Sequence, residues 1–233
     1  MVMLKLVSTY PRCYRQVFPG APKLYLSSGI HGDERSGPIT LMKLINEPGM
    51  FTGLDVTILP TLNPYGLEHN QRENENGMDR NRDFADQKDP MTKAHVALMT
   101  MDYDIALCFH EATTADGVYT YKPGANKNFR VLNRMVNAMS EVMPLDTRHK
   151  ELEIRPGIMK DVEYKEVHQT EAIYLANHGV DAFTIEVPTK SPLDLRERTI
   201  RRGILEAIAI ISDRKSTRLN SSHTDISRMP SSA

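Results

Sequence analysis

Lys23-Leu24-Tyr25-Leu26-Ser27-Ser28-Gly29-Ile30-His31-Gly32-Asp33-Glu34 is the stretch on which the reading of this chain turns. Its apolar run, Leu24-Tyr25-Leu26, reads as a buried strand. Behind it, Pro38 to Asn46 carries Ile39, Leu41, Met42, Leu44 and Ile45 after a proline suited to a helix start, and Glu47-Pro48-Gly49 closes it. His31 and Glu34 stand three residues apart between the two. A turn from strand into helix there lets an imidazole and a carboxylate reach one cation at the carboxyl end of a sheet. Zinc suits such a pair, since it commonly takes two histidines and one carboxylate and keeps a position open for water. A second histidine is then required, and the ends of the other strands are where to look.

Leu54–Leu59 reads as a second strand ended by Pro60, Tyr103–Phe109 as a third that runs into His110-Glu111, and Val118–Tyr121 as a short one. Val180–Val187 is a fourth core strand and carries Glu186. Helices are expected over Asp89–Met101, capped by Asp89 with Pro90 following, and over Asn126–Met143, where Phe129, Leu132, Met135, Val136 and Met139 share a face. Two more are expected over Thr170–Asn177, stopped by His178-Gly179, and Pro192–Ile211. Residues 1–20 suggest turns at Pro11, Pro19 and Gly20 with one edge strand. Strands alternating with helices predict a single α/β domain over residues 1–213, with a mixed, partly parallel sheet flanked by helices and ligands at the carboxyl ends of its strands. After Ser212 the chain becomes serine-rich and nearly free of apolar residues. Residues 214–233 are expected to be disordered and resemble translated adaptor sequence, so they and His223 are set aside.

Composition excludes several roles. With 233 residues, 40% hydrophobic and 25% charged, the chain can bury one substantial core. A net charge of -1 gives no electrostatic case for nucleic acid or an acidic membrane. No run approaches the roughly 18 apolar residues of a membrane span. Cys13 and Cys108 are too few for a disulfide framework, and Cys108 reads as a buried, inert thiol. With no signal peptide legible in Met1–Tyr10, the expected location is the cytoplasm.

His110, at the end of its strand, completes a His31, Glu34 and His110 set. The polar stretch Thr61–Asp86 adds chemistry to it. Asn63-Pro64-Tyr65-Gly66 leads to Arg72, and Gly77-Met78-Asp79-Arg80-Asn81-Arg82-Asp83-Phe84 follows. Such segments ordinarily mark turns with solvated arginines. A hydrolase acting beside a terminal carboxylate, however, needs a guanidinium to grip that carboxylate and another cation for the developing oxyanion, and this loop can supply both. Asp79 can hold the tautomer of a ligand histidine. Glu186, inside Phe183-Thr184-Ile185-Glu186-Val187-Pro188, is too costly to bury idly and suits proton transfer.

Together, Gly-x-His-x-x-Glu, Asn-Pro-x-Gly, the Arg72 to Arg82 spacing, Gly-x-Asp-x-Asn-Arg-x-Phe, His110 and Phe183-Thr184-Ile185-Glu186 resemble the zinc carboxypeptidase family. That family includes the M14-type metallocarboxypeptidases with their succinylglutamate desuccinylase and aspartoacylase relatives. The resemblance runs from about residue 24 to residue 190. It implies one zinc ion on His31, Glu34 and His110, with Asp79 behind the first histidine. It further implies that Arg72 stabilises the oxyanion, Asn81 and Arg82 bind the substrate's carboxylate, and Glu186 is the general base and acid. A lid tyrosine is implied at Tyr164, with Tyr174 competing. Arg80 stands where the family has a small or apolar residue and reads as a surface charge; Glu111 reads either as support for its histidine neighbour or as having no role. The implied activity is a metallocarboxypeptidase removing C-terminal residues from peptides. The alternatives are an N-acyl amino acid deacylase and, behind it, a noncatalytic peptide-binding relative. The substrate in either enzymatic case is a peptide or N-acyl amino acid with a free carboxylate.

Overall fold

The computed structural model describes residues 4–47, 49–124, 128–148, 150–160 and 169–226, with side chains to residue 213. Strands β1 (Lys5–Thr9) and β2 (Arg12–Gln16) form a hairpin, and β3 (Lys23–Ser28), α1 (Ser36–Ile45) and β4 (Asp55–Thr61) follow. Next come α2 (Pro64–His69), α3 (Pro90–Ala97), β5 (Ile105–Ala112), β6 (Tyr119–Lys122) and α4 (Phe129–Ser140). The chain continues through β7 (Glu153–Arg155), β8 (Ile158–Lys160), α5 (Glu171–Asn177), β9 (Ala182–Pro188) and α6 (Leu193–Ile226). Among the described residues the strands form one sheet in the order β1-β2-β4-β3-β5-β9-β6-β8-β7. Its centre, β4-β3-β5-β9, is parallel. The expected mixed, partly parallel sheet flanked by helices is therefore present.

Alternation along the central strands explains why both faces are covered. Leu24, Leu26, Ile105, Leu107, Phe183 and Ile185 join Leu41, Met135 and Ile204 in a cluster beneath α1, α4 and α6. Tyr25, Ala106, Cys108 and Ala182 turn the other way, toward Ala172, Leu175 and Ala176 of α5. Met135 and Met139, on the apolar face expected for α4, are fully buried. Cys13 and Cys108 are buried and form no disulfide.

From β3 the chain crosses through α1 to β4 on one side of the sheet and later returns to β5 on the other. The strand order thus reverses at β3, which opens a crevice between the carboxyl ends of β3 and β5.

Several local expectations change. The first twenty residues hold a two-stranded hairpin rather than a single edge strand. β4 passes through Pro60, which lies beyond its last pair with β3 at Leu59 and at the irregularity in its pairing with β2, so the missing N–H breaks no ladder pair; its carbonyl accepts from the Ser28 hydroxyl at 2.7 Å. α3 ends at Ala97, four residues early. The β7–β8 hairpin was not anticipated. α6 continues to Ile226 rather than ending at Ile211, and the backbone of 214–226 is helical where disorder was expected; no proline or glycine interrupts it after Gly203. No helix of the described residues is long and apolar enough to cross a membrane.

Candidate active site

The loop after β3 is shaped by close approach. Gly29 has φ +64°, a conformation that favours glycine. A Cβ on Gly32 would lie 1.9 Å from the Gly66 carbonyl carbon, so the backbone between His31 and Asp33 rests directly on α2. Asn63 holds the other side of this contact. Its Oδ1 caps α2 by accepting from Gly66 N at 3.0 Å, and its Nδ2 donates to the carbonyls of Arg72 and Glu73 at 3.2 and 3.0 Å. The Asn-Pro-Tyr-Gly segment is thus a clamp on the His31 loop.

His31, Glu34 and His110 converge. Glu34 Oε1 lies 2.7 Å from His31 Nδ1, Glu34 Oε2 lies 2.9 Å from His110 Nδ1, and the two Nδ1 atoms are 3.2 Å apart. All three residues are buried. Tetrahedral zinc bonds of about 2.0–2.1 Å put neighbouring ligand atoms roughly 3.3 Å apart, close to the 3.2 Å between the two Nδ1 atoms, with the Glu34 oxygens standing nearer, at 2.7 and 2.9 Å. Although Glu34 Oε2 lies 2.9 Å from His110 Nδ1, it meets no donor in hydrogen-bonding geometry, which leaves a buried acceptor of the kind a cation satisfies. Among the described residues this is the group whose ligand atoms can meet at a metal ion.

Asp79 sits behind His31. Its Oδ1 is 3.2 Å from His31 Nε2 and accepts from Asn81 N at 2.9 Å, which leaves Nδ1 as the inward-facing nitrogen. Its Oδ2 accepts from Arg72 Nη2 at 2.8 Å and Nε at 3.2 Å. Burial opposes the charged imidazole, yet Glu34 and Asp79 outweigh it and raise His31 to about 9. Against the same desolvation, the two histidines lower Glu34 to about 2.

Register places Glu186. In the parallel β5–β9 pair it stands directly opposite His110, and on its other side β6 brings Tyr119 opposite it. Burial raises its carboxyl to about 7, with the Glu34 charge adding to the shift against the pull of His110. A carboxyl near neutrality can both take and return a proton. Burial and the adjacent Glu186 also push the Tyr119 phenol up, so it remains an O–H.

These groups line a cavity of about 760 Å³ together with Arg72, Asn81 and Arg82, whose side chains stand on its wall. Arg72 keeps 38% of its side chain exposed, and its Nη1 is 3.8 Å from Glu34 Oε1. Arg82 donates from Nη1 to the Asn81 carbonyl at 2.9 Å. His31, Glu34, Arg72, Asn81, Arg82, His110 and Glu186 thus meet at one cavity, and Asp79 stands behind its wall against His31 and Arg72. Tyr164 lies outside the described residues. Tyr174 is packed against Phe84 and His178 with ring centroids 5.8 and 4.4 Å away, and it is not part of the cavity wall.

Arg80 corrects the surface-charge reading. It is buried and fixes the loop by donating to Asn63 Oδ1 at 2.8 Å and Asp89 Oδ2 at 3.0 Å, with Glu75 at 3.2 Å. Glu111 points away from His110 by strand alternation, accepts from Ser36 N at 2.6 Å at the start of α1, and pairs with Arg196. Sequence reasoning passed over Tyr119, Arg35 and Arg196, all on the cavity wall. Arg196 carried no signal because it reaches the site from α6, while Tyr119 could have been found by pairing Val118–Tyr121 with the strand of Glu186.

Comparison with known proteins gives the family and the fold to which this site belongs. The catalytic-domain model of succinylglutamate desuccinylase and aspartoacylase matches residues 20–211. None of the curated proteins compared with the chain matches it. A candidate metallopeptidase from Shewanella denitrificans OS217 shares the fold with TM-score 0.73 and 22% identity, over 86% of this chain and 79% of that one. A metallo-carboxypeptidase from Burkholderia cenocepacia follows at 0.66 and 15%, covering 88% and 61%. The tripeptide-bound cell shape determinant Csd4 from Helicobacter pylori superposes at 0.61 and 18%, covering 82% and 51%. The chain belongs to the succinylglutamate desuccinylase/aspartoacylase catalytic-domain family.

Proposed function

We propose that the protein is a zinc-dependent hydrolase of an amide bond next to a free carboxylate, acting as a carboxypeptidase on peptides. The observation that carries this reading is the convergence of two imidazole Nδ1 atoms and one carboxylate, with Glu186 in register beside them. His31, Glu34 and His110 would hold the ion. Zinc bound there supplies Lewis acidity, which makes water a nucleophile near neutral pH and polarises the scissile carbonyl. Glu186 takes a proton from the attacking water and returns it to the leaving nitrogen. Arg72 faces the oxygen that gains charge, while Asp79 holds both Arg72 and the His31 tautomer in place. Arg82 and Asn81 receive the substrate carboxylate, and this fixes the bond over Glu186.

A peptide substrate is supported by the cavity volume of about 760 Å³, toward the upper part of the ~300–1,000 Å³ range of small-molecule sites. The tripeptide of the Helicobacter pylori neighbour points the same way. The deacylase reading is favoured by a different observation. Arg35 and Arg196 also line the cavity, and Arg196 Nε is buried without a hydrogen-bond partner, so cations stand where an acidic acyl group would be read. Zinc-supplied protein assayed on short peptides, N-acyl amino acids and the C-terminal amides of both decides the matter. Cleavage of the acids over their amides is expected. Equal cleavage of acids and amides, or of neither, sinks the proposal, and preference for N-acyl amino acids transfers it to the deacylase.

A further inference from the structure

Beneath the carboxylate-binding wall lies a second group of ionisable side chains that the chemistry above does not use. Tyr25, His95 and Glu171 come from β3, α3 and α5, and all three are buried. The Tyr25 hydroxyl donates to Glu171 Oε1 at 2.6 Å and lies 2.6 Å from His95 Nε2, which is itself 3.2 Å from Glu171 Oε1. They sit in the apolar layer under α5, where replacing such a set by well-packed hydrophobic side chains is often neutral or stabilising. Their arrangement shows what they hold.

The Glu171 backbone N–H donates to Asn81 Oδ1 at 2.9 Å. The His95 ring receives Phe84 edge-on, with centroids 5.3 Å apart. Residues 81 and 84 of one loop are therefore tied to Glu171 and His95, and those two are bonded to each other. The circuit Asn81–Glu171–His95–Phe84 closes around Arg82. With Asn81 Oδ1 engaged by Glu171, the amide must turn its other end, Nδ2, elsewhere, and the cavity wall is where Asn81 stands.

We infer that Glu171 is a positioning residue for substrate carboxylate recognition, acting through Asn81, with Tyr25 and His95 fixing it. This rests on the reading of Asn81 and Arg82 as the carboxylate site. Its side chain, pinned from below by the tyrosine and the histidine, sets the first turn of α5. That turn aims the N–H that orients Asn81. Loosening the anchor swings the amide and weakens the grip on a carboxylate, while the metal residues, which make none of these contacts, are left as they are.

The test uses zinc-supplied full-length protein carrying Glu186→Gln to stop turnover, with calorimetric binding of tri-alanine and tri-alanine amide. The background protein should prefer the acid at least tenfold. Glu171→Leu should cut that preference at least fivefold, Tyr25→Phe two- to threefold, and Glu171→Gln, which keeps an acceptor for Tyr25, should restore most of it. In an Asn81→Ala background, Glu171→Leu should change the preference less than twofold. Zinc content and far-ultraviolet circular dichroism monitor folding, and Tyr25→Phe carries the test if Glu171→Leu does not fold. A background protein without acid preference overturns the reading of Asn81 and Arg82 and the inference with it. Acid preference that survives both Glu171→Leu and Tyr25→Phe, or falls equally without Asn81, overturns the inference alone.

Discussion

Two sets of buried ionisable groups share one face of this sheet, and they are finished to different degrees. In the Tyr25, His95 and Glu171 set each side chain bonds to the others, and none of the three contributes an unpartnered buried atom among the described residues. In the His31, Glu34 and His110 set, Glu34 Oε2 approaches His110 without hydrogen-bonding geometry, two imidazole nitrogens face each other at 3.2 Å, and a neighbouring carboxyl is raised to about 7. The first is complete as protein; the second is complete only with something added. Burial alone therefore does not mark the reactive site. What marks it is burial with hydrogen-bonding capacity left over.

The largest effect expected from this contrast is at His110. His110→Ala should abolish bound metal, measured by elemental analysis against about one ion per chain in the parent, and hydrolysis with it. Retention of stoichiometric metal would erase the distinction between the two sets. Glu186→Gln should keep the metal and lower kcat by about 10²–10⁴-fold, the usual worth of a positioned acid–base group. Arg82→Ala should raise KM by roughly 10- to 100-fold, because a hydrogen bond to a charged group contributes about 1.5–3 kcal/mol, and should leave metal content unchanged.

Stability sharpens the contrast further. A chelator should lower the Tm of the parent protein, since metal that binds only the folded chain stabilises it. Tyr25→Phe should cost about 1–3 kcal/mol with or without the chelator, because it leaves buried acceptors unmet on the other set. The smallest effect concerns acid. Burial works to raise the Glu171 carboxyl, but His95 and the bonds from His95 and Tyr25 outweigh it and hold it below its ordinary range. A depressed carboxyl contributes stability above its unfolded value and loses it as pH falls through the folded one. Glu171→Gln should therefore flatten the acid limb of the Tm profile, and an unchanged limb would remove Glu171 from the charged set.

The His31, Glu34, His110 and Glu186 group was legible in the sequence because each member announced itself locally. His31 and Glu34 share one turn, and His110 and Glu186 each sit where an apolar strand run reaches its carboxyl end. The buried set was not legible, because Tyr25, His95 and Glu171 are separated by 70 and 76 positions and each imitates something ordinary: a core aromatic, a helix histidine and a first-turn acid. Arg80 was misread for the same reason, since only the folded loop brings it to Asn63 and Asp89. The hairpin of the first twenty residues and the β7–β8 pair are short edge elements whose outer strands, β1 and β7, have mostly exposed side chains, where periodicity carries little signal.

The contact between Gly32 and Gly66 has a consequence for inheritance. Two stretches 34 positions apart meet where neither tolerates even a methyl group: a Cβ on Gly66 would lie 2.4 Å from Asn63 Nδ2, as one on Gly32 would strike Gly66 itself. The His31–Glu34 turn cannot be transplanted into another scaffold, or drift within this one, without its counterpart. For anyone rebuilding this chemistry elsewhere, the smallest portable part is a pair of interlocked loops, and the short motif that first catches the eye is only half of it.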